Sequence, residues 1–374
     1  MKNKISLYIH IPFCISKCSY CDFCSFVPAH DQIDQYCQAL CKEIEHHKQT
    51  LKNKEIFSIY IGGGTPSFLP SEKIIKLLSK IKETFNVSKT ASITIEANPN
   101  SLSLQKAQDY ILAGCNRISI GLQSHKQSLL QILNRPHTLE DFISAINNAH
   151  TAGFKDISTD IILGIPTQNI DDLKQTLDIL LSQPLTHISV YGLICEPNTP
   201  LTKQIEQKTL SLPTEDETVA LYDFAVKYLK QNGFERYEIS NFSKQGFESV
   251  HNKNYWERGE YLGLGLSAHS FVEGFHWQNT SNFEKFIQDP QNIIENKEKE
   301  TIQTAKEETI MLSLRTTKGL DIQKFDKTFN ANFLQEYSKI LNKLIKNNLI
   351  TIKNDHLTIN DMYISNAIIL EFFD

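Results

Sequence analysis

The 374-residue chain contains no run of eighteen apolar residues, so nothing in it reads as a transmembrane segment, although peripheral association with a membrane stays open. It has no excess of positive charge: 38 Lys and Arg against 43 Asp and Glu leave a net charge of −5. That balance excludes the broad basic surface that non-specific nucleic-acid binding needs. There is no internal repeat and no low-complexity linker. The start, MKNKISLYIHIPFC, lacks the sustained apolar stretch and small-residue cleavage site of a secretion signal and reads as a first strand. Cysteine is scarce, eight residues in all, and four of them crowd into one loop. A disulfide framework fits that distribution poorly; free thiols in a reducing, cytoplasmic setting fit it better.

What is present is a strand–helix alternation over roughly the first 240 residues. SLYIHI (6–11), FSIYIGGG (57–64), ASITIEAN (91–98), RISIGLQS (117–124), ISTDIILGIP (157–166) and THISVYGL (186–193) read as strands. Amphipathic helical patterns fall between them, among them 31–52, 71–85 and 214–232. Alternation at this pitch means parallel strands with crossover helices. The unusual residues sit after strand ends, which favours a partial (β/α)6 TIM-type barrel over an open doubly wound sheet. After about residue 241 the pattern changes. HNKNYWERGEYLGLGLSAHSF (251–271) reads as structured loop and strand, and 281–310 as charged and mostly helical. The end, a helix at 334–348 and two short strands around Asn354–Asp355, has the order of a winged helix. The expected domains are therefore 1–240, an α/β barrel, and 241–374, a smaller α+β region with a winged-helix-like end.

Cys14, Cys18, Cys21 and Cys24 lie within eleven positions. An iron–sulfur cluster is normally bound by four thiolates. A protein that supplies only three leaves one iron open for a small molecule, as catalytic zinc sites keep an open position. Zinc, or buried unreactive thiols, is the alternative. Gly62-Gly63-Gly64-Thr65-Pro66 follows the second strand; alone it is a tight turn, but its backbone could also approach a ligand closely and offer N–H groups to a carboxylate. Glu96 and Asp160 are acids within apolar strands, costly there unless partnered.

The Cys-x3-Cys-x2-Cys loop after a first barrel strand resembles the signature of the radical S-adenosylmethionine (SAM) superfamily. The preceding YIHIPFC, with IGGGTPS, EANP, EPNTP, HNKNYW and YLGLGLSAH in order, narrows the resemblance to the anaerobic coproporphyrinogen-III oxidase-like branch. That branch holds the oxygen-independent coproporphyrinogen dehydrogenases (HemN type) and the haem chaperones (HemW type). The resemblance implies that Cys14, Cys18 and Cys21 hold a 4Fe–4S cluster whose fourth iron takes SAM, and that an electron from the cluster would cleave SAM to a 5′-deoxyadenosyl radical. It implies SAM contacts at Tyr8, Tyr20, Gly63, Gly64, Thr65, Glu96, Gln123, Arg135 and Asp160, with Ile194 and His269 as outer contacts.

Two features choose within the branch. HemN-type dehydrogenases carry a further cysteine two residues past the third; here Phe23 stands at that position and Cys24 follows, which makes Cys24 a bystander. The expected first strand also starts at residue 5, without the N-terminal extension of HemN-type enzymes. The His-Asn-x-x-Tyr-Trp run, His251, Asn252, Tyr255 and Trp256, reads on its own as an aromatic corner. It resembles the motif associated with haem in HemW-type proteins, with His251 a possible iron ligand. The expectation is a haem chaperone of the HemW type that passes haem to another protein, with flavodoxin or ferredoxin as electron donor should SAM be cleaved. The rivals are coproporphyrinogen III decarboxylation to protoporphyrinogen IX, in porphyrin biosynthesis, and DNA binding through the winged helix. Fifteen basic against eighteen acidic residues over 241–374 speak against DNA. Cys37, Cys41, Cys115 and Cys195 read as core.

Overall fold

A computed structural model describes residues 3–29 and 31–373. Six parallel strands form its centre: β1 (Lys4–Ile11), β2 (Glu55–Gly63), β3 (Asn86–Ala97), β4 (Arg117–Gln123), β5 (Asp156–Leu163) and β6 (His187–Gly192). Their runs of Ile, Leu and Val are buried on both faces, as strands inside a βα repeat must be. Crossover helices such as Ser71–Thr84 and Leu139–Ala152 return the chain from one strand to the next. The latter starts on a capping box, Thr138 with Asp141.

The sheet does not stop at β6. Two short strands, β7 (Glu235–Arg236) and β8 (Asn241–Ser243), extend that edge antiparallel. On the other edge β9 (Tyr261–Leu264) lies parallel to β1, and β10 (His269–Val272), β11 (Phe275–Asn279) and β12 (Ile294–Lys299) follow antiparallel. The result is one open twelve-stranded sheet with β12 and β7 at its ends, a partial barrel. The expected boundary at 240/241 runs inside this sheet, and Leu262, Trp277 and Phe286 share one apolar core with Ile5 and Leu7. A second core, Ile310 to Phe372, belongs to the C-terminal unit. There β13 (Leu320–Asp321), β14 (Ile350–Lys353) and β15 (His356–Ile359) form a small antiparallel sheet beside the helix Ser338–Lys346. Asn354 and Asp355, both at positive φ, make the two-residue turn between β14 and β15, as expected for the winged-helix-like end.

Two sequence expectations need correction. HNKNYW is a helix, Val250–Trp256, started by the Ser249 side chain, which accepts from the Asn252 N–H. The charged stretch 281–310 contains the strand β12 between two helices. IENKEK hid it, because an edge strand carries its charges outward.

Candidate functional site

The loop after β1 places Cys14 (9% exposed) against the end of β2 and leaves Cys18, Cys21 and Cys24 partly exposed. None of the eight cysteines is in a disulfide. Burial pushes the Cys14 and Cys21 thiols up. Among the described residues, the only trio of His, Cys, Asp or Glu with ligand atoms all within 4.8 Å of one another is His276, Glu300 and Glu308. The loop sulfurs are thus spread wider than a single tetrahedral zinc requires; Zn–S bonds of about 2.3 Å set sulfurs roughly 3.8 Å apart. A cluster with a separate iron for each thiolate fits that spread.

The glycine turn is packed from three sides. A Cβ on Gly62 would lie 2.8 Å from Glu96 Oε2. Gly63, at φ +109°, has the His10 ring where a Cβ would sit, and a Cβ on Gly64 would meet Phe13 O at 2.8 Å, Ile11 O at 2.9 Å and Cys14 Sγ at 3.0 Å. This turn is therefore a cradle that admits no side chain, wedged between the cysteine loop and β3. Glu96 accepts from the Tyr60 hydroxyl (2.7 Å) and the Gly63 N–H (3.1 Å), and burial pushes its carboxyl up to about 7.

A chain of side chains joins these pieces. Thr65 Oγ1 donates to Cys14 Sγ (3.5 Å), and Asn98 Nδ2 donates to Thr65 Oγ1 (3.0 Å). Arg135 then donates through Nη2 to Asn98 Oδ1 (3.0 Å) and through Nη1 to Cys18 Sγ (3.4 Å). Asp160, half-buried and raised by desolvation, accepts from Ser119 (3.3 Å). Tyr20 is half-buried, and desolvation pushes its hydroxyl up with Arg135 opposing. Two polar atoms in this neighbourhood, Gln123 Oε1 and Arg135 Nε, are buried with no partner among the described residues. Gln123 itself is held at φ +66°. Orphaned polar atoms beside a side-chain-free cradle are what a polar ligand such as SAM would complete.

The structure brings Tyr20, Gly63, Gly64, Thr65, Glu96, Gln123, Arg135 and Asp160 together beside the cysteine loop, but sets Ile194 and His269 apart. Ile194 stands 67% exposed on the loop after β6. His269 opens β10 and lines a separate cleft of about 930 Å³ between the cysteine loop and β9–β11. Tyr8, Phe23, Cys24, Tyr255 and Phe271 share that cleft. Sequence reasoning missed Asn98, although it stands in the quoted EANP. It also missed His10 in YIHIPFC, whose Nδ1 lies 2.9 Å from the Tyr8 hydroxyl and whose Nε2 lies 2.7 Å from the Cys24 carbonyl oxygen.

The haem expectation for His251 meets a geometric obstacle. The ring is 2% exposed; Nδ1 lies 3.0 Å from Ser58 Oγ and Nε2 lies 2.9 Å from the Tyr255 hydroxyl. Burial lowers its pKa to about 3, so the ring is neutral, but both nitrogens are occupied. Of the four motif residues only Tyr255 lines the cleft; Asn252 receives the helix cap, and the Trp256 indole N–H is buried without a partner among the described residues.

The radical SAM superfamily profile matches residues 8–180, and that of the HemN C-terminal domain residues 303–361. The heme chaperone HemW of Buchnera aphidicola (subspecies Schizaphis graminum) is 42% identical over 273 residues, covering 72% of this chain and 70% of that protein. The heme chaperone HemW of Lactococcus lactis is 32% identical over 351 residues, 94% of this chain and 92% of that one. The solved structure of coproporphyrinogen III oxidase (HemN) from Escherichia coli superposes with a TM-score of 0.88 at 23% identity, over 99% of this chain and 90% of that one, a likeness of fold. No helix among the described residues is long and apolar enough to cross a membrane. Sequence likeness over nearly its whole length, on this fold and with this cysteine loop, makes the chain a member of the radical SAM superfamily and, within it, of the family of the heme chaperone HemW.

Proposed function

We propose that this protein is a haem chaperone: it takes up haem and passes it to an acceptor protein. The observation that carries the reading is the 930 Å³ cleft beside the cysteine loop, walled by Phe23, Tyr255, Tyr261 and Phe271. Ligand pockets commonly measure about 300–1,000 Å³ and are mostly apolar with a few polar groups. Aromatic faces suit a flat macrocycle. The relatives named heme chaperone point the same way.

In this reading Cys14, Cys18 and Cys21 hold a 4Fe–4S cluster, and Cys24, facing the cleft, holds none of it. The cradle Gly63–Thr65 with Glu96, Gln123, Arg135 and Asp160 holds SAM, and Tyr8 and Tyr20 border it. A bound cluster and SAM supply one-electron chemistry. The chain's own part is to orient the ligands and, through the partly buried Thr65–Asn98–Arg135 chain, to keep the cysteine loop in place. Residues 1–240 carry the cluster and SAM positions, and residues 241–374 add the far wall of the cleft; the 240/241 division is one of labour within a shared sheet. Tyr255 is the haem-facing member of HNKNYW, and His251 braces its hydroxyl. Ile194, exposed on the loop after β6, is an outer contact in this reading. Eight free thiols support a reducing, cytoplasmic setting, where flavodoxin or ferredoxin would serve as electron donor if SAM is cleaved.

The test is anaerobic loading. Protein reconstituted with iron and sulfide, mixed with haem and passed through gel filtration, should retain about one haem per chain, as single-porphyrin sites do. Elution free of haem would refute the reading.

A further inference from the structure

We propose that His269 is the axial ligand of the haem iron in this cleft, with Lys17 as the cation that meets a haem propionate. The inference rests on the haem-carrier reading and adds to it the residue that grips the iron.

Proteins hold haem iron through His, Cys, Met or Tyr. No methionine is among the residues that line the cleft, and two histidines are, His10 and His269. His10 is spoken for at both nitrogens, by the Tyr8 hydroxyl and the Cys24 carbonyl. His269 makes no side-chain hydrogen bond among the described residues, and its side chain is exposed to the cleft. The strand explains why. Side chains of β10 alternate, so His269 and Phe271 share the cleft face while Ser270 points the other way, its hydroxyl 3.0 Å from the Gly263 N–H that donates to it. His269 pairs in register with Gln278 of β11, another lining residue. The imidazole is thus presented from a rigid strand rather than a loop.

The other donors are less suited. Tyrosine ligates as the phenolate, and an ordinary phenol with a pKa near 10 stays protonated at neutral pH. Tyr8 and Tyr255 also have their hydroxyls committed, to His10 and His251. Cys24 is the remaining competitor. Phe23, 66% exposed, also lines the cleft, an apolar surface that a macrocycle would cover. Of the two cleft cations, Arg258 is already paired with Glu300 and Glu308. Lys17 forms no ion pair among the described residues; its ammonium reaches only the Phe23 carbonyl at 3.4 Å.

The experiment uses the full chain with its cluster, titrated anaerobically with ferric haem. His269→Ala should shift the Soret band and weaken retention by about tenfold or more, the order seen when support of a metal ligand is lost. His269→Cys should restore retention with a thiolate-type spectrum. Lys17→Ala should weaken retention a few-fold and leave the spectrum where it was. His251→Ala, which frees the Tyr255 hydroxyl, should weaken retention a few-fold at most and keep the Soret position, with circular dichroism and cluster absorbance as checks on folding. A wild-type band that survives unchanged in His269→Ala, or that disappears in Cys24→Ala or His251→Ala instead, overturns the ligand assignment. A wild-type chain with no haem band overturns the haem reading itself.

Discussion

Cys14 and Cys18, neighbours in one loop, are joined a second time through Thr65, Asn98 and Arg135, side chains that follow three different strands. Backbone bonds already hold the loop at Cys14, whose N–H donates to Phe26 O (3.0 Å), and at Ser19, whose N–H donates to Leu133 O (3.0 Å). With these side chains it is pinned to the ends of β2, β3 and β4, so the fold sets the placement of two of the three thiolates before any metal arrives.

Asn98 is the middle of that chain, donating to Thr65 and accepting from Arg135. Asn98→Ala leaves both partners short of a buried hydrogen bond, a loss of about 1–3 kcal/mol. Iron should leave the reconstituted protein faster on addition of a ferrous chelator, with the fold intact by circular dichroism. An unchanged release rate would mean that the chain does not hold the loop.

Cys24 separates three ligands from four. Its side chain faces the cleft and its carbonyl is fixed by His10. Cys24→Ala should keep full iron and sulfide content, whereas Ala at Cys14, Cys18 or Cys21 should lose the cluster's absorbance. Equal loss in all four variants would make Cys24 a ligand.

Gly64 has no room for a methyl group, since two of its three close neighbours are backbone oxygens that cannot swing away and the third is Cys14 Sγ. Gly64→Ala should destabilise by about 1–3 kcal/mol through overpacking and lower cluster incorporation as β1 and the cysteine loop shift. Gly192→Ala, where a Cβ meets nothing within 4 Å, is the control and should behave as wild type. Equal cluster content in the two variants would show that the cradle is looser than described.

Much of this was legible in the sequence. β1 to β6 announce themselves because strands buried on both faces are nearly continuous β-branched runs, as in RISIG, and the cysteine spacing located the centre of the site. Three things were hidden for physical reasons. The Val250–Trp256 helix is seven residues long, too short for a helical period to show, and its start depends on one Ser249 hydroxyl. The pairing of β9 with β1 is a contact more than 250 residues apart in sequence, with no local trace. The Ser58 partner of His251 is likewise 193 residues away in sequence, so the motif alone could not show that this ring nitrogen is engaged.

Glu43 gives a pH test of how the second half is fastened to the first. Fully buried, it accepts from the Gly265 N–H (2.9 Å) and Asn279 Nδ2 (2.7 Å), and burial raises its pKa from 4.5 to about 8. A raised carboxyl stabilises fully below the unfolded value and loses that contribution as pH climbs to the folded one. The Glu43 contribution, on the order of 5 kcal/mol, should therefore fade between about pH 4.5 and 8. Below about pH 6.5 buried neutral histidines such as His47, His137 and His251 act in the opposite direction, so the decline shows in the melting temperature between about pH 6.5 and 8. Glu43→Gln should flatten much of the decline, leaving the smaller parts from Glu96 and Glu238, both pushed up to about 7 by burial. A melting-temperature profile as steep in Glu43→Gln as in wild type would contradict this.

The central claim is that the chain carries haem and does not make its precursor. One anaerobic preparation, with its cluster, SAM and a strong reductant, divided between haem and coproporphyrinogen III, tests it directly. The expected result is a Soret band at about one haem per chain, by analogy with single-porphyrin sites, and coproporphyrinogen recovered unchanged. Protoporphyrinogen formed in the second sample, with no haem retained in the first, would contradict it and make the protein a dehydrogenase.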